Sequence, residues 1–153
     1  AQGLPAFGPY RTQARQRAVL MLTPFSWPIR VYYEDTDASG VAYHARYLHW
    51  FERARSEWLR ARGLSHQRLA QEFEAAFTVA HLEISYSQPA RLDDALEATV
   101  SIAQQGRASL VFEQRLCWPG QWHKPLALAK VKVACVDIKR FKPRPWPATW
   151  LEP

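Results

Sequence analysis

The residue pattern predicts an α+β fold of two layers, a five-stranded antiparallel sheet covered on one face by a single long helix. Three observations carry this. One stretch alone keeps a sustained helical period, the apolar pattern then switches to a period of two for the rest of the chain, and the strand-like segments are joined by short connections. Short connections favour antiparallel strands, because a parallel crossover needs a dozen residues or more. A half-buried sheet must hide its apolar face, and one long helix suffices for one layer.

The elements follow in order. Residues 27–33, WPIRVYY, are β-branched and aromatic behind a proline, and predict a first strand. The acidic and small residues of EDTDASG, 34–40, predict a loop. From Arg46 to Arg62, Tyr47, Trp50, Phe51, Ala54, Trp58 and Ala61 recur at helical steps, with Arg53, Arg55, Glu57 and Arg60 on the other side. Gly63 suits the end of that helix, and Arg60 and Arg62 suit the negative end of its dipole. A short helical turn is expected over 65–74. Alternation then predicts strands around Thr78–Tyr86, Leu96–Ile102, Leu110–Leu116 and Ala127–Cys135, with the turn WPGQW before the last. A small two-layer fold leaves sheet edges and a second face to protect, so self-association is expected.

The chain has 153 residues, 48% hydrophobic and 22% charged, which fits one globular domain and excludes charged disorder. We expect a flexible leader over residues 1–24 and one domain over 25–153. Met21 is the only methionine, which makes it an alternative natural start. The net charge of +6 is uneven. Residues 1–20 contribute +3, residues 138–153 another +3, and the stretch between holds 13 basic and 13 acidic residues. A neutral body argues against nucleic acid as the partner. No apolar run approaches a membrane span or a secretory signal, and Cys117 and Cys135 lack any metal or disulfide spacing, so a cytoplasmic protein with reduced thiols is expected.

The densest polar cluster is Tyr33, Glu34, Asp35, Thr36, Asp37, Ser39, Gly40, Tyr43 and His44, between the first strand and the long helix. An acidic surface loop that caps the helix is the plainer reading. Three features point to chemistry instead. Asp37 and His44 flank a glycine closely enough to be aimed at one point, as a base or nucleophile beside a polarising group. Residues 41–45, VAYHA, hold no capping side chain, which leaves helix N–H groups for an anion or oxyanion unless His44 takes them. Gly40 permits a positive φ or a close backbone approach to a ligand. Asp35, Asp37 and His44 could ligate a metal, but no further ligand stands at a recognisable spacing, and neither metal nor cofactor is expected.

Residues 31–55, VYYEDTDASGVAYHARYLHWFERAR, resemble the signature of the hotdog-fold acyl-CoA thioesterases, specifically the YbgC-like branch of the 4-hydroxybenzoyl-CoA thioesterase family. The resemblance continues through SQPARLDDALE, RASLVFEQR and KPRPWP, and its core is TDxxGVxYHxxY, beginning at Thr36. It implies a curved antiparallel sheet wrapped around a central helix, dimers with active sites at the subunit interface, and pairing into tetramers. It also implies a hydrolase that cleaves acyl-CoA to free acid and CoA. On this chain the family's catalytic aspartate falls on Asp37, its histidine on His44 and an accompanying tyrosine on Tyr33, with Gly40, Val41 and Tyr43 beside the substrate. Ala42 stands where the family usually has valine.

With a CoA ester as substrate, the basic tail gains a reading. KRFKPRP at 139–145 offers Lys139, Arg140 and Lys142 to the phosphates of CoA, with Arg91 as a further candidate, against the alternative of a merely solvated end. A binding or scaffolding module for acyl carrier protein, with weak hydrolysis, is the rival function.

Overall fold

The architecture was obtained as a computed structural model, which describes residues 24–146 and 148–150. The expected leader, save Pro24, lies outside the described residues. Five strands, β1 Phe25–Arg30, β2 Ala75–Tyr86, β3 Ala95–Gln105, β4 Ser109–Cys117 and β5 Ala127–Asp137, form one antiparallel sheet in the order β1-β3-β4-β5-β2. The long helix, α1 Arg46–Arg60, lies against β1, β3 and β4, and a short helix, α2 His66–Phe73, packs on β2.

Each element ends for a local reason. Ser65 caps α2 by accepting the Arg68 N–H, and Glu74 closes it in the left-handed region at φ 50°. The helix α1 stops at Arg60, two residues before the expected end, where Arg62 turns back so that its guanidinium lies 3.9 Å from the Trp58 ring centre. Strand β1 is shorter than expected. Its partner strand β3 begins at Ala95, and beyond Arg30 the chain makes only the Val31 pairings with Asp93 and Asp94 before Tyr33–Asp35 winds into a 3₁₀ turn.

One expectation needs correcting. Short connections were expected to join neighbouring strands, yet β2 and β3 are separated by β5 and β4. Residues 87–94 run across the strand ends instead, with Ser87 and Gln88 donating to the Leu126 carbonyl and Ala90 reaching Tyr47. Three strand spacings are about 14 Å, within the reach of eight extended residues.

The inner face of the sheet and α1 share an apolar core that includes Trp50, Phe51, Ala54 and Trp58 from the helix and Leu110, Phe112 and Val131 from the sheet. Trp58 meets Phe112 edge to face at 5.2 Å. One polar side chain sits in this core. Gln114 is fully buried; its amide donates to the carbonyls of Phe51 and Thr99, and its oxygen accepts from Arg55 at 2.8 Å. A single side chain thus joins α1 to β3 and satisfies a half-buried cation. Gln114→Leu keeps the volume but removes the acceptor of the Arg55 guanidinium and the link from the sheet to the Phe51 carbonyl, and should lower unfolding free energy by roughly 2–4 kcal/mol in urea titration.

Candidate active site

The site is built where the 31–45 segment meets the start of α1. Val31 is fully buried, its N–H donating to the Asp94 carbonyl at 3.0 Å. Asp35, only 3% exposed, turns inward: its carboxylate accepts the Tyr32 N–H at 2.8 Å and faces Arg46 of the first helical turn at 3.7 Å. The Asp35 carbonyl accepts the Tyr43 N–H, Thr36 bridges to Ala42, and the Asp37 N–H donates to Val41. Residues 36–42 therefore close on themselves, with Gly40 at φ 82°, a conformation that disfavours a side chain.

The start of α1 carries no side-chain cap at Ala45. Tyr43 accepts the Arg46 N–H, while the His44 and Ala45 N–H groups have no partner among the described residues. That end of the helix keeps its partial positive charge directed outward. It is fixed from behind. The Tyr86 hydroxyl donates to the His44 carbonyl at 2.7 Å, Tyr47 accepts the Ala90 N–H at 3.0 Å, and Ala90 in turn accepts the Ala42 N–H at 2.8 Å. The Tyr47 and Tyr86 rings stand edge to face at 5.0 Å, and Tyr43 lies against the His44 ring at 4.4 Å.

A groove of about 270 Å³ opens here, lined by Val41, Ala42, His44, Tyr47, Tyr86 and the 87–89 segment. Of the residues expected at the site, His44 and Val41 line it and Tyr43 adjoins it through His44. Asp37 and Tyr33 stand in solvent, Tyr33 at 82% exposure, and neither lines the groove within one protomer. Asp37 is prepared nonetheless. Its Oδ1 accepts the Ser39 N–H at 2.8 Å and the Ser39 hydroxyl as well, and these bonds hold its pKa below the ordinary carboxylate value, with a smaller contribution from His44.

Asp35 does not stand with Asp37 and His44 as a ligand set. It serves the helix N-terminus, and among the described residues no cluster of three or more acidic, histidine or cysteine side chains is arranged to hold a metal. Arg91 follows Ala90 directly, its side chain exposed. Lys139, Arg140 and Lys142 belong to a turn at the other end of β2. Lys139 pairs there with Glu74 at 2.8 Å, and β2 separates that turn from His44 by about 35 Å of strand. Tyr86 and Tyr47 hold the start of α1 in place, and the sequence showed them only as members of an alternating strand and an apolar helix face.

With this geometry in view, the comparisons are consistent among themselves. The profile of the family described as the thioesterase superfamily matches residues 39–118. The acyl-CoA thioesterase YbgC of Haemophilus influenzae is 50% identical over 125 residues, covering 80% of this chain and 88% of that protein. The chain belongs to the thioesterase superfamily. Within it, the acyl-CoA thioester hydrolase YbgC of Escherichia coli O157:H7 is 48% identical, covering 82% of this chain and 91% of its own length. A probable thioesterase from Bartonella henselae superposes with a TM-score of 0.76 at 39% identity, covering 82% of this chain and all of that one. A 1,4-dihydroxy-2-naphthoyl-CoA thioesterase from Synechocystis gives 0.75 at 26% identity over 84% and 93% of the two chains. The sheet and helix described above are thus the hotdog fold that the sequence signature implied.

The Ser39 bonds make a direct expectation. A carboxylate with a lowered pKa is ionised above that value and loses its charge as pH falls through it, so the acid limb of any Asp37-dependent activity should lie below the ordinary carboxylate range. Ser39→Ala should move that limb upward in a kcat/KM profile measured against pH.

Proposed function

We propose that this protein hydrolyses acyl-CoA thioesters, with Asp37 as general base or nucleophile and the N-terminus of α1 as the oxyanion site. The observation that carries the reading is the uncapped start of α1, whose His44 and Ala45 N–H groups have no partner among the described residues, with His44 lining a groove and Asp37 on the loop that leads into the helix. The relatives' activity supports the same substrate class.

In this reading the thioester carbonyl oxygen sits at the free N–H groups, where each such donor is worth about 3 kcal/mol in the transition state. His44 flanks the carbonyl, and Tyr43 limits the freedom of its ring. Asp37 either removes a proton from water as that water attacks the carbonyl carbon, or attacks the carbon itself to give an anhydride that water then opens. Both routes break the carbon–sulfur bond and release CoA thiol and a free acid. Both need the ionised carboxylate that Ser39 maintains.

The strand β2 offers a place for a second copy. It is an edge strand with unpaired backbone groups, and Val79 and Tyr86 on its inner side are exposed. Antiparallel pairing of β2 with β2 of another protomer across a two-fold axis sets the Ala75 end of one strand beside the Tyr86 end of the other. The basic turn at 139–142 of the second copy then stands next to the groove of the first, where it would meet the CoA phosphates. Dimers of this kind, or pairs of them, are the proposed assembly. Buried free thiols at Cys117 and Cys135, with burial pushing the Cys117 pKa up to about 11, support a reducing cytoplasmic setting. No helix among the described residues is long and apolar enough to cross a membrane.

Asp37→Asn should cut kcat for a short acyl-CoA at least a hundredfold while leaving KM within a few-fold; near-normal turnover would remove Asp37 from the mechanism. Replacing Lys139, Arg140 and Lys142 together with Gln should raise KM several-fold and flatten its dependence on salt, with kcat preserved.

A further inference from the structure

A second cavity lies farther along α1 and β2. It encloses about 110 Å³ between α1, α2 and the sheet, with Leu59, Phe77 and Phe112 among its apolar walls and Glu52, Arg55 and His66 as its polar groups. The groove at His44 and this cavity share two elements, α1 and β2. On β2 the inner face runs from Tyr86 through Ile84 and Leu82 to Phe77, apolar throughout. On α1, Arg55 lies nine residues beyond Arg46, about 13 Å along the axis.

The polar groups of the cavity are unequally occupied. Ser56 donates to Glu52 at 2.9 Å and stands 3.1 Å from His66 Nε2, so these two are tied to each other through a serine. Burial keeps His66 toward its neutral form. Arg55 is different. It spends one donor on Gln114, and among the described residues no carboxylate lies within 4 Å of it. A guanidinium has five donors in a fixed fork, and a half-buried one in an apolar cavity is suited to an oxygen acceptor brought in by a ligand.

Resting on the thioesterase reading, we propose that this cavity receives the far end of the acyl group and that Arg55 selects acyl chains ending in an oxygen acceptor, a carboxylate or a hydroxyl. An extended chain advances about 1.2 Å per bond, so the span from the helix start to Arg55 corresponds to roughly eight to twelve carbons. A terminal methyl of that length would leave the guanidinium with Gln114 as its one side-chain acceptor, whereas a terminal oxygen would accept from its remaining donors.

The test compares decanoyl-CoA with 9-carboxynonanoyl-CoA and 10-hydroxydecanoyl-CoA, with butanoyl-CoA as the activity control. The expected result is at least a tenfold higher kcat/KM for one of the oxygen-ended substrates than for decanoyl-CoA, and which of the two leads identifies the terminal group. In Arg55→Gln that ratio should fall to within twofold of unity, and Arg55→Lys, which keeps a cation, should retain most of it. A ratio near one in the wild type overturns the proposal, as does a ratio that Arg55→Gln leaves intact, because a purely structural role through Gln114 would slow all substrates alike. Failure of butanoyl-CoA to react would count against the thioesterase reading itself. Calorimetric binding of decanedioate and 10-hydroxydecanoate against decanoate then decides the cavity separately: tighter binding of either oxygen-ended acid that Arg55→Gln abolishes supports it, and equal binding of all three overturns it.

Discussion

The site depends on one buried carboxylate. Asp35 is nearly inaccessible, and its two oxygens are divided between the Tyr32 N–H and the first turn of α1 at Arg46. A carboxylate near a helix N-terminus is favoured by the dipole, and here it also sets the position from which the helix begins. Everything that follows in the loop is measured from it. The Asp35 carbonyl fixes Tyr43, the Thr36 to Ala42 bridge fixes the closed segment, and His44 emerges at the point where the helix N–H groups are unclaimed. A capping side chain at Ala45 would have stabilised the helix by about 1 kcal/mol. It would also have filled the place where an oxyanion can be held, so Asp35 stabilises the helix start from the side instead.

The second constraint is the crossing of residues 87–94 beneath the strand ends. Ala90 carries both of its backbone groups into this site, its carbonyl to Ala42 and its N–H to Tyr47, while Tyr86 at the end of β2 holds the His44 carbonyl. The loop, the helix and the far edge strand are thereby referred to one short segment. In the proposed mechanism such redundancy matters, because the carboxylate it uses is exposed and the oxyanion donors it uses are backbone groups that cannot be repositioned by a rotamer. It also explains the strand order. Only a β2 displaced to the outer edge can bring its Tyr86 end beside α1 and leave its free side open to a second copy.

Much of this could be read from the residues. The period switch after residue 74 gave the element order, the missing cap in VAYHA was visible by composition, and the signature around Asp37 and His44 carried the family. What could not be read was long-range. Adjacent strands in sequence look like adjacent strands in space, and no local pattern says that residues 87–94 cross the sheet. Tyr33 read as the end of a strand because its side-chain type fits one, but the inward pull of Asp35 two residues later winds it into a 3₁₀ turn. The basic tail is legible as charge, whereas its distance from His44 within one protomer is a consequence of topology. Gln114 sits in an alternating strand at an inward position, where its amide could be noticed; its three partners come from α1 and β3, which sequence cannot bring together.

The contrast between Asp35 and Asp37 shows how two identical side chains two residues apart are given different work. A 3₁₀ turn that ends at Asp35 and passes to extended backbone at Thr36 sends the first carboxylate toward the protein and the second away from it. Asp35 meets a backbone N–H and a cation and is used up by them. Asp37 meets only Ser39, which stabilises its charge without blocking it, since both Ser39 bonds fall on Oδ1 and Oδ2 accepts no hydrogen bond from the described residues. A base or nucleophile needs that combination: an ionised oxygen with a free lone pair, on a loop whose backbone is fixed. Exchanging their surroundings would leave the charge count of the loop unchanged and remove the free ionised oxygen, so the role proposed for Asp37 rests on the turn geometry as much as on the acidic residues themselves.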